Sequence, residues 1–153
     1  MLFCTSAVAQ PTSPLFEAED VAGCWRIAHD PLPDSLAALS YLPSPKALPV
    51  AVRLTLRPNP SAFPAHHPDG ALAVEYPAGF TGRPFTYWHV REERVYLDSY
   101  YPSGMTVSTA LSDLGTLEGT LRGSAAGDLI EPPGPRSWEV AMTLTRTTCD
   151  RFE

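Results

Sequence analysis

The sequence predicts an all-β fold, an eight-stranded antiparallel up-and-down barrel with a short N-terminal helical turn and a long first loop. Residues 21–27 and 138–149 each alternate apolar and polar side chains with a period of two, the pattern of a half-buried strand. If these first and last strands pair antiparallel, the sheet has no edges and forms a closed barrel. The 17 prolines and 10 glycines also leave few windows long enough for a helix.

Length and charge limit the kind of protein. The 153 residues suffice for one domain, which we place at 10–153. A net charge of −6 argues against nucleic-acid binding, which requires clustered cations to displace phosphate counterions. No stretch approaches the roughly twenty apolar residues of a membrane span, so we expect no transmembrane segment.

Residues 1–9 have features of an export signal. Ala7-Val8-Ala9 before Gln10 has the small-x-small form of a signal-peptidase site. The apolar run before it is short and lacks a basic start, so we interpret 1–9 as a signal-peptide remnant, with an ordinary chain terminus as the alternative. The expected location is therefore extracytoplasmic, either periplasmic or secreted.

The cysteines fit such a location. Cleavage after Ala9 would remove Cys4 and leave Cys24 and Cys149, an even number. On paired terminal strands these two can lie opposite each other and face outward. A disulfide there would close a loop of roughly 125 residues and contribute about 4–5 kcal/mol. Two unpaired thiols on neighbouring strands are the alternative.

Two connecting segments have helical character. Pro14 can start a short turn through Ala18 that plugs one end of the barrel, just before the first strand at about 21–28. A long connection then runs to Pro49. Asp34 caps one or two helical turns within it, and its leucines favour a cover over one barrel mouth.

Alternation identifies the middle strands. The second covers Val50 to Arg57, and Leu72, Val74 and Tyr76 mark the third. The fourth and fifth form a hairpin around Glu92-Glu93. Its register pairs Trp88 with Leu97 and Val90 with Val95 on the inner face, and Tyr87 with Asp98 and His89 with Tyr96 on the outer face.

The sixth strand is predicted from Met105 to Leu111, after a turn at 100–104. The seventh, Gly115 to Gly123, alternates glycine at 115, 119 and 123 with leucine at 117 and 121 along one face. Glycine in a strand permits a sharp bend or leaves spare interior volume.

Two short motifs resemble those of a known family. Gly23-Cys24-Trp25 is similar to the Gly-x-Trp signature on the first strand of lipocalins, and Arg146 is similar to the arginine near the end of their last strand. Over residues 14–149 the predicted architecture also resembles the lipocalins, or more loosely the calycin group. The resemblance implies that Arg146 packs across Trp25, closes the barrel base and does no chemistry. The family's Thr-Asp-Tyr motif corresponds at best to Ser112-Asp113-Leu114.

An eight-stranded barrel has an interior that is either filled by side chains or holds one small ligand. We predict a non-enzymatic protein that binds a small apolar molecule there. The predicted lining residues are Leu54, Tyr76, Trp88, Met105, Leu117, Trp138 and Met142.

A filled barrel is the alternative. The chain would then be a structural or accessory subunit of a larger envelope or membrane-associated assembly. It would dock through an outer aromatic strip, since aromatic residues are enriched at interfaces. The residues of this predicted strip are Tyr87, His89, Tyr96, Tyr100 and Tyr101.

Catalytic and metal motifs are not evident in the sequence. His66 and His67 are adjacent, so on an extended backbone they point apart and chelate poorly. His89 near Tyr96 and Asp98 is interpreted as a surface hydrogen-bond cluster rather than an acid–base pair. We find no nucleophile, phosphate-loop or paired-carboxylate motif and therefore expect no enzyme and no cofactor.

Overall fold

The computed structural model describes residues 17–32, 50–59, 70–79, 85–92, 94–100, 106–112, 119–129 and 136–152. Within these residues the chain is mostly β-structure, with one short helix and one curled antiparallel sheet, as the sequence predicts. The elements in chain order are α1 (Ala18–Val21), β1 (Gly23–His29), β2 (Ala51–Pro58), β3 (Leu72–Glu75), β4 (Tyr87–Arg91), β5 (Arg94–Tyr100), β6 (Thr106–Ser112), β7 (Thr120–Leu129) and β8 (Arg136–Thr147).

Each strand pairs antiparallel with the next one along the chain. β1 also pairs with β8 over six positions, from Cys24 opposite Thr147 to His29 opposite Met142. The thinnest connection joins β3 to β4, where only two pairs of residues face each other. The sheet is therefore well joined at the chain's first and last strands and narrow near β3.

Helix α1 lies against the core beside β1. The backbone N–H of Glu17 donates to Asp20 Oδ2 at 2.9 Å, which fixes the start of the helix. Val21 is buried, and Ala18 and Ala22 pack against the same core. The structure thus has one short helix before β1, at Ala18–Val21. The turn predicted from Pro14 through Ala18 falls mostly on residues 14–16, which lie outside the described part.

The core is one contiguous apolar cluster on the inner face of the sheet. The alternation predicts the buried apolar residues of both strands, which are Trp25, Ile27, Trp138, Val140, Met142 and Leu144. Arg146 continues the same face of β8 but is exposed. The largest core side chains that are less than 2% exposed are Trp88, Phe85, Leu54, Leu97, Met142, Leu144, Val52 and Val95.

The hairpin register is confirmed, with Trp88 opposite Leu97 and His89 opposite Tyr96. Strands β2, β6 and β8 begin or end within two residues of their predicted bounds. The predicted bounds of the seventh strand are wrong, because β7 starts at Thr120 and continues to Leu129. Gly119 has a φ of 86° and belongs to the turn before β7, so the alternating glycines do not mark the strand.

Several predictions fall outside the described residues. The cover over the barrel mouth would use 33–49, and the proposed signal remnant is 1–9. The same applies to His66-His67, Met105, Leu117 and Tyr101. Tyr100 is described only as part of the backbone of β5.

Candidate functional site

The pair formed by Trp25 and Arg146 fastens α1 to the sheet. The two residues are partners across β1 and β8, and the guanidinium carbon lies 4.5 Å from the indole centroid, within cation–π range. Arg146 Nη1 donates to the carbonyl of Ala22 at 3.0 Å, and Nη2 donates to that of Asp20 at 2.6 Å. The indole N–H of Trp25 donates to the carbonyl of Val21 at 2.9 Å. These bonds satisfy carbonyls at the end of the helix, so the pair has a structural role.

Two glycines make room for this arginine. Gly23 has a φ of 135°, and a Cβ there would lie 2.8 Å from Arg146 Nη1. A Cβ on Gly119 would lie 3.2 Å from the Cβ of Arg146, whose backbone N–H donates to the Gly119 carbonyl at 2.7 Å. Gly23 belongs to the Gly-x-Trp motif of the sequence, whereas this role of Gly119 was not predicted. The position of Gly119 opposite the last strand would have been the indication of this role.

Cys24 and Cys149 form a disulfide, with their Cα atoms 5.4 Å apart. The predicted cysteine pair is therefore consistent with the structure, but its predicted geometry is wrong. Cys24 faces Thr147, and Cys149 lies beyond β8 in a turn that the Phe152 N–H closes by donating to the Cys149 carbonyl at 2.9 Å. Cys24 is also buried rather than exposed on the outer face.

Among the predicted lining residues, Leu54, Trp88 and Met142 lie in the packed core. The register between β2 and β3 shifts between Leu54 and Pro58, an irregularity of the kind produced by a bulge. The Trp88 indole donates to the backbone carbonyl of Thr55 in this interval at 2.9 Å. Trp88 is thus anchored to the wall, which makes it part of the core rather than an adaptable contact.

Tyr76 has both of its hydroxyl functions occupied. Its O–H donates to the carbonyl of Phe85 at 2.6 Å and accepts from the Phe85 N–H at 2.7 Å. The side chain bridges the segments on either side of residues 80–84 and is half-buried.

Trp138 has a different environment. Its side chain is only 8% exposed, and its indole Nε1 is buried without a hydrogen-bond partner among the described residues. The indole lies over its cross-strand partner Gly127, where a Cβ would come within 2.7 Å of Nε1. An unpaired buried N–H costs about 1–3 kcal/mol. Among the described side chains, His89 Nδ1 is also a buried polar atom without a hydrogen-bond partner.

Small residues on the inner face of β7 face large ones on β8. Gly123 pairs with Met142, Ala125 with Val140, and Gly127 with Trp138. At Gly119, where the sequence predicts a bend or spare volume, the side chain of Arg146 occupies the space beside the backbone, and at Gly127 the indole of Trp138 does so.

The described side chains of the outer aromatic strip are stacked and largely covered. His89 stacks on Tyr96 with ring centroids 4.9 Å apart, and Tyr87 lies 6.2 Å from His89 on the other side. Tyr87 faces outward by register, yet it is only 8% exposed. It is therefore not the exposed contact that the sequence suggested, because the register assigns a face without showing what covers it.

Burial shifts the pKa values of His89 and Tyr87. Desolvation lowers the pKa of His89, Asp98 opposes that shift, and Arg91 adds to it. The His89 Nδ1 to Asp98 Oδ2 distance of 3.7 Å is too long for a hydrogen bond. Desolvation and the charge of Asp98 both raise the pKa of Tyr87. At neutral pH the imidazole of His89 and the phenol of Tyr87 are therefore both neutral.

The parts of the chain that the structure describes contain no group of three or more His, Cys, Asp or Glu side chains placed to hold a metal ion. No helix in those parts has the length and apolar character needed to cross a membrane. Comparisons with protein-family models, curated proteins and solved structures find no match to this chain.

Proposed function

We propose that this chain is a non-enzymatic, exported, lipocalin-like barrel that binds one small, largely apolar molecule in its interior. The ring is closed by β1 and β8, and all eight strands take part. Support for closure comes from the six facing pairs between β1 and β8 and from the disulfide beside them. The packing of Arg146 on Trp25 agrees with what the resemblance implies.

The ligand lies at the end of the barrel away from Trp25. Helix α1, Arg146 and the buried Val21 occupy the near end. Trp138 is eight residues along β8 from Arg146 (138 to 146), a strand length of about 26 Å. The far end is thus separated from the closed one by most of the barrel's height.

The single observation that carries the proposal is the unpaired indole N–H of Trp138. Most buried donors in proteins have a partner, so a donor without one marks a place where another molecule can supply an acceptor. Val140 and Met142 on the same face of β8 provide an apolar surface next to it. The expected ligand is apolar with one carbonyl, ether or hydroxyl oxygen.

The disulfide supports export. Disulfides persist mainly in oxidising compartments outside the cytosol. The Cys24–Cys149 bond therefore favours a periplasmic or secreted location.

Titration of the full chain with the apolar fluorescent probe N-phenyl-1-naphthylamine tests the proposal. Trp138→Phe keeps an aromatic ring but removes the N–H, and the exposed Arg26→Gln serves as control. We expect saturable one-site binding of the probe to the wild type and to the control. A ligand retained on purification from the source, identified by native mass spectrometry, should bind about fivefold or more weakly to Trp138→Phe, since one hydrogen bond contributes about 1 kcal/mol. Absence of saturable probe binding would refute the proposal.

One observation favours a second function, that of an accessory subunit with a filled barrel. Trp88, Leu97 and Leu144 are inaccessible to solvent, as expected of a solid interior. Docking would then use the half-buried face of Tyr96 and its stacked neighbours. Native mass spectrometry of the protein from its source distinguishes the two functions. A co-purified protein that Tyr96→Ser releases supports docking, and a retained small molecule supports the binder.

A further inference from the structure

A pocket of about 510 Å³ lies where β2, β3 and the segment after β3 meet the C-terminal turn. Small-molecule sites typically measure about 300–1,000 Å³, so this volume is large enough for a compact ligand. We call it the C-terminal pocket. Its walls include Arg57, Val74, Glu75, Tyr76, Gly79 and Phe152.

Among the described residues at the C-terminal pocket, two arginines share one carboxylate. Arg57 forms an ion pair with Glu75 through Nη2 and Oε1. Arg53 Nη1 lies 3.7 Å from the other carboxylate oxygen of Glu75. The charges of Arg57 and Glu75, which both line the pocket, balance each other, and Arg53 adds one positive charge beside it.

Glu75 positions Arg57 without using up its donors. A guanidinium carries five N–H groups in a planar fork that matches the two oxygens of a carboxylate. The Arg57 side chain remains 69% exposed, so its other N–H groups are accessible from the pocket side. Part of the entropy cost of ordering a long side chain is therefore already met before a ligand arrives.

Phe152 is the aromatic side chain that can receive the rest of the ligand. It lines the pocket together with Tyr76 and Val74, in a lining that is mostly polar. The hydroxyl of Tyr76 is engaged by Phe85 and is therefore not a donor to the ligand. We propose that the C-terminal pocket binds a small aromatic carboxylate, whose carboxylate pairs with Arg57 and whose ring packs against Phe152.

The disulfide holds one wall of this pocket in place. Phe152 donates its backbone N–H to Cys149, and Cys149 is bonded to Cys24 on β1. Reduction frees the turn that carries Phe152. Binding of the carboxylate therefore depends on the oxidised form of the protein.

Calorimetric titration of the full chain with 2-naphthoate tests this site, and the neutral analogue 2-naphthalenemethanol tests the role of charge. Arg57→Gln should weaken naphthoate binding by about tenfold or more, since a hydrogen bond between charged groups contributes about 1.5–3 kcal/mol. Arg26→Gln, at an exposed arginine on β1, should leave the affinity within about twofold, because exposed charges apart from a ligand contribute little. Glu75→Gln keeps a side-chain oxygen that can accept a hydrogen bond from Arg57 but removes a negative charge beside the ligand, so it should tighten binding.

Equal affinities of Arg57→Gln and Arg26→Gln for naphthoate would overturn the proposal. So would binding of the neutral analogue as tight as that of naphthoate, or weakening by Glu75→Gln equal to that by Arg57→Gln. Phe152→Ala should also weaken binding, and an unchanged affinity would contradict the packing of the ring. Saturating N-phenyl-1-naphthylamine should not displace naphthoate. Displacement, together with equal affinities of Arg57→Gln and Arg26→Gln for naphthoate, would assign both probes to the barrel interior and overturn this site alone.

Discussion

Gly127→Ala tests how tightly Trp138 is held against the sheet. Gly127 lies within β7 and is not among the glycines with positive φ, so its backbone accepts any residue. At such a position alanine normally stabilises a strand by about 0.5–1 kcal/mol relative to glycine. The sign of the effect therefore depends on the neighbouring indole.

The distances predict destabilisation. The new Cβ would lie 2.7 Å from Trp138 Nε1 and 2.8 Å from two ring carbons, whereas ordinary contacts begin at 3.4 Å. The indole would have to move by more than half an ångström, and overpacking of this kind costs about 1–3 kcal/mol. After the gain from alanine is subtracted, we expect a net loss of about 1–2 kcal/mol and a Tm lower by roughly 2–8 °C.

Urea denaturation of four proteins measures the contact directly. These are the wild type, Gly127→Ala, Trp138→Leu and the double variant. In the Trp138→Leu background the ring is gone, and Gly127→Ala should become neutral or stabilising by up to about 1 kcal/mol. If Gly127→Ala stabilises the wild type as much as the Leu variant, the indole does not rest on Gly127 and the reasoning fails.

Three further outcomes are expected. Replacing Cys24 and Cys149 together by alanine should lower the free energy of unfolding by about 5 kcal/mol, from the closed loop of 125 residues; a change below about 1 kcal/mol in urea denaturation would contradict this. Arg146→Gln should cost about 2–3 kcal/mol, against almost nothing for the exposed Arg26→Gln, because it removes a cation from an indole and a charged donor from two carbonyls. Burial lowers the pKa of His89, so the unfolded chain takes up a proton first, and stability should fall as pH drops below 6.5; His89→Gln should flatten this slope, and an unchanged slope would rule out His89 as its source.

The hairpin of β4 and β5 was predictable because its turn is short. Two charged residues between two alternating segments leave one register that places Trp88 and Leu97 on the same apolar face. The inner face of β1 and β8 followed from the same alternation. Wherever the two faces of a strand differ in polarity, the period-two pattern thus predicted which side chains enter the core.

β7 could not be delimited in this way. Its inner face carries Gly123, Ala125 and Gly127, which give almost no hydrophobic signal. Strand formation there results from pairing with β6 and β8 on both sides, and such long-range pairing is not visible in a local pattern. The leucines between the earlier glycines gave the stronger local signal, which shifted the prediction towards the N-terminus.

The site residues show the same limit. Pairing of Cys24 with Cys149 followed from the cysteine count, but the position of Cys149 in a turn beyond β8 did not. Burial of Tyr87 and the missing partner of the Trp138 indole depend on three-dimensional packing. The C-terminal pocket joins Arg57 to Phe152 across 95 positions (57 to 152), and no motif of the sequence connects them.

The crosslink between β1 and the turn after β8 has a consequence for hydrogen exchange. In most domains the amides of the outermost strands exchange with solvent early, because these segments fray without the rest of the chain. Here β1 is hydrogen-bonded to both β2 and β8, and the disulfide joins it to the turn that follows β8. Deuterium should therefore enter β1 and β8 late, and among the strands the short β3 should be labelled first.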